Sequence, residues 1–353
     1  MKKTMIALAA VAAVGAASAQ VTLGGEFAWG YGNYNTAGVD SSGGGIDTSQ
    51  VAFSAKEDLG GGMSIAYKAT VNLGEYDAGA KADDQSLTLT TPMGALSLLT
   101  YKPGQWVVGT AGSGTWYGLD GRSVGARAKR DGYAFTIPVM TGLAVTAAFT
   151  EPAGSTGEGV GNAGQSGQGV YNFGAKYSAG PVVLSGAFLS LSNAGTSDAT
   201  KDTVVRLGGT YDLGVAKVGA AYEGAKLSGG GTNTETAFAL TAPLAANLSI
   251  AATYASTALT STFAPIAGSS GTRNGYQVQA QYNLSKTTYI IGSYGSWTGT
   301  TTTPAVAAVA AGFDLNQTTG VITARAAAAA VPAMVNTNTK DSSLMAITLV
   351  KDF

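Results

Sequence analysis

The chain contains no cysteine and no histidine, and only 12% of its 353 residues are charged. Without cysteine there is no disulfide framework and no thiolate chemistry. Without histidine the commonest general base and metal ligand is missing, so no catalytic site, metal site or cofactor is predicted. The hydrophobic content of 45% is ordinary for a folded protein, but the charged fraction is only about half of the roughly 25% found in soluble domains. Much of the surface is therefore expected to contact something other than water.

Residues 1–19 have the layout of a secretory signal peptide. Lys2 and Lys3 precede an apolar run that starts near Met5, and three small residues stand directly before Gln20. We predict removal after Ala19, which leaves residues 20–353 as the mature domain. Removal takes two of the 20 basic residues and none of the 21 acidic ones, so the mature net charge is −3. A negative charge disfavours nucleic acid as a partner.

The remaining chain has no apolar stretch as long as the about 20 residues that a transmembrane helix requires. Instead, apolar and polar side chains alternate through many segments. Between Tyr276 and Leu284 the even positions are apolar and the odd positions are amides, and residues 63–72 and 171–177 show the same alternation. Alternation with a period of two predicts strands with one apolar and one polar face.

Short turns and long loops alternate between these segments, which predicts an up-and-down antiparallel meander of about 16 strands. Long loops are expected at residues 36–48, 74–84, 103–121, 152–169, 193–202, 228–235, 259–274 and 299–341. In the last of these, the alanine-rich stretches 305–311 and 326–330 suggest a short helix, with a buried plug as the less favoured alternative.

A sheet of this width would expose its edges unless it closed into a barrel. The interior of a 16-strand barrel is too wide for side chains to fill, so the polar face is expected to line water and the apolar face to contact lipid. Only helices and closed barrels satisfy their backbone groups inside hydrocarbon. The predicted fold is therefore all-β, a 16-stranded antiparallel up-and-down transmembrane β-barrel.

Three short motifs connect this layout to a known family. They are the opening QVTLGG at residues 20–25, the hairpin KEDLGGGM at residues 56–63, and the closing VKDF at residues 350–353, which places Phe353 at the end of a strand. With these motifs the sequence resembles the general diffusion porins of Gram-negative bacteria, and is most similar to the trimeric porins of proteobacteria. The resemblance implies a homotrimer surrounded by outer-membrane lipids, with the third long loop, here residues 103–121, folded into each lumen as a constriction.

In such porins, basic side chains on the wall face acids on the inserted loop. The resemblance therefore makes the following residues candidates for the constriction or lumen: Gln105, Trp116, Tyr117, Asp120, Arg122, Arg130, Lys68, Lys176 and Arg206. On their strands, the last three alternate with apolar residues that point to the other face. Because a basic residue facing lipid near the midplane would cost about 2–4 kcal/mol, these three are expected to face the lumen.

Two groups of candidates leave alternatives open. The basic cluster at Arg122, Arg127, Lys129 and Arg130 either lines the constriction or is a solvated strand end, since Arg127 and Lys129 share the parity of lipid-facing aromatics. The loop aromatics, which also include Trp106, either contact a ring-shaped solute or pack the loop against the wall. Packing is the preferred interpretation.

The predicted function is passive diffusion of ions and small hydrophilic solutes through a water-filled pore. Because the loop holds a single acid, Asp120, opposite several basic wall residues, we expect a mild anion preference. One alternative is a substrate-selective channel for sugars or small organic anions, and another is a structural or adhesive surface barrel. A barrel lipase or protease is disfavoured, because it would need a histidine beside serine or aspartate.

Overall fold

A computed structural model gives the fold of residues 19–36, 38–73, 80–115, 129–152, 169–191, 201–228, 230–261, 270–303, 312–315, 322–325 and 334–353, and all structural statements concern these residues. The predicted signal peptide, apart from Ala19, and the two alanine-rich stretches lie outside them.

Sixteen strands pair antiparallel into one closed barrel, which confirms the predicted fold class. They are β1 (Ala19–Thr36), β2 (Val39–Gly60), β3 (Met63–Asn72), β4 (Lys81–Thr91), β5 (Gly94–Tyr101), β6 (Arg130–Met140), β7 (Leu143–Pro152), β8 (Val170–Ala179), β9 (Val182–Leu191), β10 (Lys201–Asp212), β11 (Lys217–Leu227), β12 (Gly231–Ala245), β13 (Leu248–Ser261), β14 (Ser270–Asn283), β15 (Thr288–Thr303) and β18 (Met334–Asp352). Strands β16 (Gly312–Leu315) and β17 (Ile322–Arg325) form a separate hairpin. The described helix α1 (Trp106–Thr110) follows β5. In the part of the chain given above, no helix is long and apolar enough to cross a membrane.

The two faces of the wall follow the alternation in the sequence. On β14, Tyr276 and Val278 are each 44% exposed, whereas Gln277 and Gln279 are 2% and 7% exposed. Exposed aromatic side chains on the apolar face lie near the short-turn ends of strands, as at Tyr177, Tyr211 and Tyr282, and also near the loop ends, as in the aromatic girdles of membrane barrels. Near the loop end, for example, three rings stand in a row with centroids 5.8 and 5.0 Å apart, those of Tyr133, Phe149 and Tyr171. The apolar face is therefore the lipid-facing one, and the polar face lines the lumen.

The barrel closes where β1 pairs with β18, a junction that we call the seam. The amide of Gly25 donates to the carbonyl oxygen of Phe353 at 2.8 Å, and the amide of Phe353 donates back at 3.1 Å. A Cβ at residue 25 would lie 2.7 Å from the backbone oxygen of Gln50 and 2.6 Å from the phenyl ring, so glycine is needed for this close approach. The terminal aromatic that carried part of the resemblance thus packs on the opening motif.

Several predicted long loops are wrong or too long. Strands β1 and β2 stay paired up to Thr36 and Val39, so residues 36–48 are mostly strand. Residues 228–235 are mostly strand too, because β12 begins at Gly231. The final loop is shorter than expected, because β15 extends to Thr303 and β18 begins at Met334, and these two residues still pair with each other. These ends of the strands lie beyond the apolar zone, where pairing needs no alternation of apolar and polar residues.

Candidate functional site

Residues 103–115, here called the inserted segment, leave β5 and form α1. The side chain of Gln105 caps this helix by accepting a hydrogen bond from the amide of Val108 at 3.1 Å. At the other end Gly112 has a φ of +75°, a left-handed conformation that favours glycine and ends the helix. The cap and the glycine confine α1 to a short turn between the two ends of the segment.

The inserted segment lies inside the barrel on the lumen faces of β11 to β13. Val107, Val108 and Ala111 are buried against a patch of small wall residues, namely Ala221, Ala237, Ala239 and Ala255. A Cβ at Gly219 would collide with the carbonyl oxygen of Ala111, so the backbones approach closely there. Small residues on the lumen face therefore make the bed on which α1 lies, while large side chains on these strands face lipid.

An ion cluster flanks this bed. Glu223 on β11 bonds to Lys201 Nζ and, at 2.7 Å, to Arg206 Nε of β10. Glu235, directly opposite Glu223 on β12, lies 3.8 Å from Lys201 Nζ. Both carboxylates are 2% exposed. Two facing carboxylates repel each other, but the two cations balance them, and the cluster is neutral as a whole.

The inserted segment is bound to this ion cluster. Gln105 Nε2 donates to Glu235 Oε2 at 2.9 Å. The guanidinium carbon of Arg206 lies 5.4 Å from the centroid of the Trp106 ring, within cation–π range. Trp106 itself is partly buried against the alanine bed. The packing interpretation of this tryptophan is therefore correct.

A second set of polar contacts holds the far end of the inserted segment. The hydroxyl oxygens of Ser113 and Thr253 are 2.6 Å apart. Gln279 Nε2 donates to the carbonyl oxygen of Gly114 at 3.2 Å. The segment is thus attached at residue 105 and at residues 113–114, with α1 packed on the wall between the two attachments.

The structure places the candidate residues from the sequence in different surroundings. Gln105 and Arg206 belong to the attachment just described. Lys68 on β3 lies between Ser54 and Ser86 of the neighbouring strands, on the lumen face. Lys176 on β8 also has the lumen parity, and both lysines are exposed. Arg130 begins β6, has the lumen parity and stands opposite Tyr101. Trp116, Tyr117, Asp120, Arg122 and Arg127 lie outside the described residues.

Lys129 behaves as a solvated strand end. Its Nζ lies 3.2 Å from Asp83 Oδ1, and both side chains are more than one third exposed. Two residues of the ion cluster were missed by the sequence reasoning, Lys201 and Glu235. Each falls at the edge of a predicted long loop, so neither had an assigned face. Glu235 could have been predicted from its odd position, because Ala237 and Ala239 on the same strand face the lumen and the alternation continues back to residue 235.

A closed barrel with an aromatic lipid-facing surface, a polar lumen and a chain segment attached inside it defines a transmembrane β-barrel channel. The chain belongs to the Gram-negative porin family, whose model matches residues 5–302. Together these findings place the protein in the outer membrane of Gram-negative bacteria, where it forms a channel. No curated protein matches the sequence significantly.

Several solved structures have the same fold. An anion-selective porin from Comamonas acidovorans is 17% identical with a TM-score of 0.63, and the match covers 95% of this chain and 100% of the porin. The trimer form of OmpT, an outer membrane protein of Vibrio cholerae, is 14% identical with a TM-score of 0.66 over 96% and 100% of the two chains. A mutant of the Rh. blastica porin is 11% identical with a TM-score of 0.59 over 95% and 100%. At these identities the likeness concerns the fold alone.

Proposed function

We propose that the protein is a passive diffusion channel for ions and small hydrophilic solutes, with a mild preference for anions. We further propose that it acts without enzymatic activity, as a homotrimer, after removal of residues 1–19. The observation that carries the anion preference is the unequal distribution of charge between two parts of the lumen wall. We call the lumen faces of β10 to β13 the docked wall, and those of β2 to β8 the open wall.

On the docked wall the charges balance. Lys201 and Arg206 are matched by Glu223 and Glu235 within one cluster. The inserted segment between residues 103 and 115 contains no charged residue. This wall therefore contributes little net field to the pore.

On the open wall the basic side chains are not balanced in this way. Lys56, Lys68 and Lys176 have the lumen parity and are exposed, and none has an ion-pair partner among the residues that the structure describes. Asp58 and Asp84 also have the lumen parity on these strands, but they are outnumbered by Lys56, Lys68, Lys176 and Arg130. Glu26 and Asp352 face each other across the seam. Because lumen charges set the local concentration of ions, this arrangement favours anions despite the negative net charge.

Zero-current potentials across a potassium chloride gradient in planar bilayers test the proposal. We expect a zero-current potential whose sign indicates anion preference. This potential should be larger at low salt, because the screening length then exceeds about 10 Å. The double variant Lys68→Gln and Lys176→Gln should reduce the potential. Lys129→Gln, whose lysine pairs with Asp83 at a strand end, is the matched control and should leave it unchanged. A clear cation preference would contradict the selectivity, and the absence of any conductance would indicate a structural barrel.

The surroundings of Trp106 favour general diffusion over a substrate-selective channel. Arg206 lies over its ring and the side chain packs against the alanine bed, so much of its surface is already engaged by the protein. A conductance that saturates with, or is blocked by, sugars or small organic anions would instead identify a selective channel.

The trimer proposal is supported by family membership and by the trimer form of the similar OmpT structure. Light scattering of the detergent-purified protein, corrected for bound detergent, should give three times the chain mass. A monomer that retains full conductance would overturn this part of the proposal.

A further inference from the structure

We propose that Glu235 is the positioning residue that fixes the inserted segment, and thereby the size limit of the pore. The inference rests on the proposed channel function and adds a residue to it. It assigns to Glu235 a mechanical role that is distinct from its charge.

The two oxygens of Glu235 face different parts of the molecule. Oε1 lies toward the wall, 3.8 Å from Lys201 Nζ and 3.4 Å from Asn233 Nδ2. Oε2 faces the inserted segment and accepts the hydrogen bond from Gln105. The carboxylate therefore joins the segment to the barrel strands through a buried hydrogen bond.

Gln105 uses its whole amide group in this arrangement. Its nitrogen donates to Glu235, and its oxygen accepts from the amide of Val108 in the first turn of α1. The bond to Glu235 thus holds the same side chain that caps the helix. Losing this bond would leave the start of the segment with the cation–π contact between Trp106 and Arg206 and the packing of α1 on the alanine bed, while Ser113 and Gly114 keep the far end attached.

The ion cluster does not need Glu235 to satisfy its tightest contacts. Glu223 bonds to both Lys201 and Arg206 through separate oxygens. Glu235 lies 3.8 Å from Lys201 Nζ and accepts a hydrogen bond from Gln105 at 2.9 Å. This asymmetry between the two carboxylates points to Glu223 as the residue in direct contact with both cations and to Glu235 as the residue that also holds the segment.

Two substitutions separate position from charge. Glu235→Gln removes the charge but keeps an oxygen that accepts from Gln105, whereas Glu235→Ala removes both. We expect Glu235→Ala to give a several-fold rise in open-channel current noise and a larger exclusion limit for neutral polyethylene glycols. Glu235→Gln should keep the wild-type noise and exclusion limit and change only the reversal potential. Glu26→Ala, which removes a lumen carboxylate remote from the segment, is the charge control and should resemble Glu235→Gln.

A reversible cross-link provides a second test. The chain has no cysteine, and the hydroxyls of Ser113 and Thr253 already touch, so S113C and T253C are placed to form a disulfide. With the far end locked by oxidation, adding Glu235→Ala should still raise the noise, because the bond to Gln105 holds the other end of the segment. No rise in the oxidised, cross-linked protein would contradict the positioning role. If Glu235→Ala does not fold, Gln105→Ala removes the same contact from the other side.

The outcomes distinguish this inference from the channel proposal. Unaltered noise and exclusion limit in both Glu235→Ala and Gln105→Ala would overturn the positioning role while the wild-type conductance upheld the channel. Equal behaviour of Glu235→Ala and Glu235→Gln would show that the residue acts through charge alone. A wild-type protein without conductance would remove the proposed function itself.

Discussion

The docked wall and the open wall obey the same alternation, yet their charged residues have different neighbours. On the docked wall, basic and acidic side chains are adjacent in register, so that Arg206, Glu223 and Glu235 lie side by side on successive strands. On the open wall, Lys68 stands between two serines. The parity of a residue decides whether it faces the lumen. Its cross-strand neighbours decide whether its charge is engaged in an ion pair beside the inserted segment or, as we propose for the open-wall lysines, is available to permeating ions.

The largest expected effect comes from breaking the balance of the docked wall. Glu223→Ala leaves Lys201 and Arg206 with one carboxylate instead of two in a largely buried site. Removing one partner of a buried ion pair costs about 3–5 kcal/mol, and we expect about 3 kcal/mol here because both cations keep some exposure. Equilibrium unfolding of the refolded protein in guanidinium measures the change, and a loss below about 1 kcal/mol would show that the cluster does not stabilise the barrel.

A somewhat smaller effect is expected from enlarging a residue of the alanine bed. Ala237 is fully buried under the inserted segment, and Ala237→Phe should cost about 1–3 kcal/mol by overpacking. It should also lower the single-channel conductance, because the ring displaces α1 into the lumen. Ala66→Phe on the open wall is the matched control, since this position has the lumen parity without the segment above it. Equal destabilisation by the two variants would contradict the difference between the walls.

The smallest effect is expected at the exposed ion pair of Lys129 and Asp83. Exposed pairs contribute about 0–1 kcal/mol, so Lys129→Ala should shift the unfolding free energy by no more than about 0.5 kcal/mol and leave the reversal potential unaltered. The same denaturant titration and bilayer recording provide the measurement. A change in selectivity would mean that this lysine acts on the pore after all.

Alternation predicted the number of barrel strands and the faces of most of them, because it is strong wherever one face meets lipid. The insertion of the third long loop into the lumen was predicted from the resemblance to porins and not from alternation. It failed at residues 36–48 and 228–235, where both faces of the strands are polar and the sequence looks like a loop. This failure hid Glu235. The lumen parity of Arg206 and Glu223 could be read from each strand separately, but their contact depends on the register between strands, which single-strand alternation does not encode.

The hydrogen bonds between Gly25 and Phe353 at the seam have a consequence for how the barrel assembles. Every other junction in the barrel except that between β15 and β18 joins strands that are consecutive along the chain, and such hairpins need only local loop closure. The seam joins the two ends of the domain, so it pays the largest loop-closure entropy and forms slowly. Until it forms, the sheet retains two unpaired edges that can bind other chains. Aggregation during assembly is therefore avoided if the edges of the unclosed sheet are covered until Phe353 pairs with Gly25.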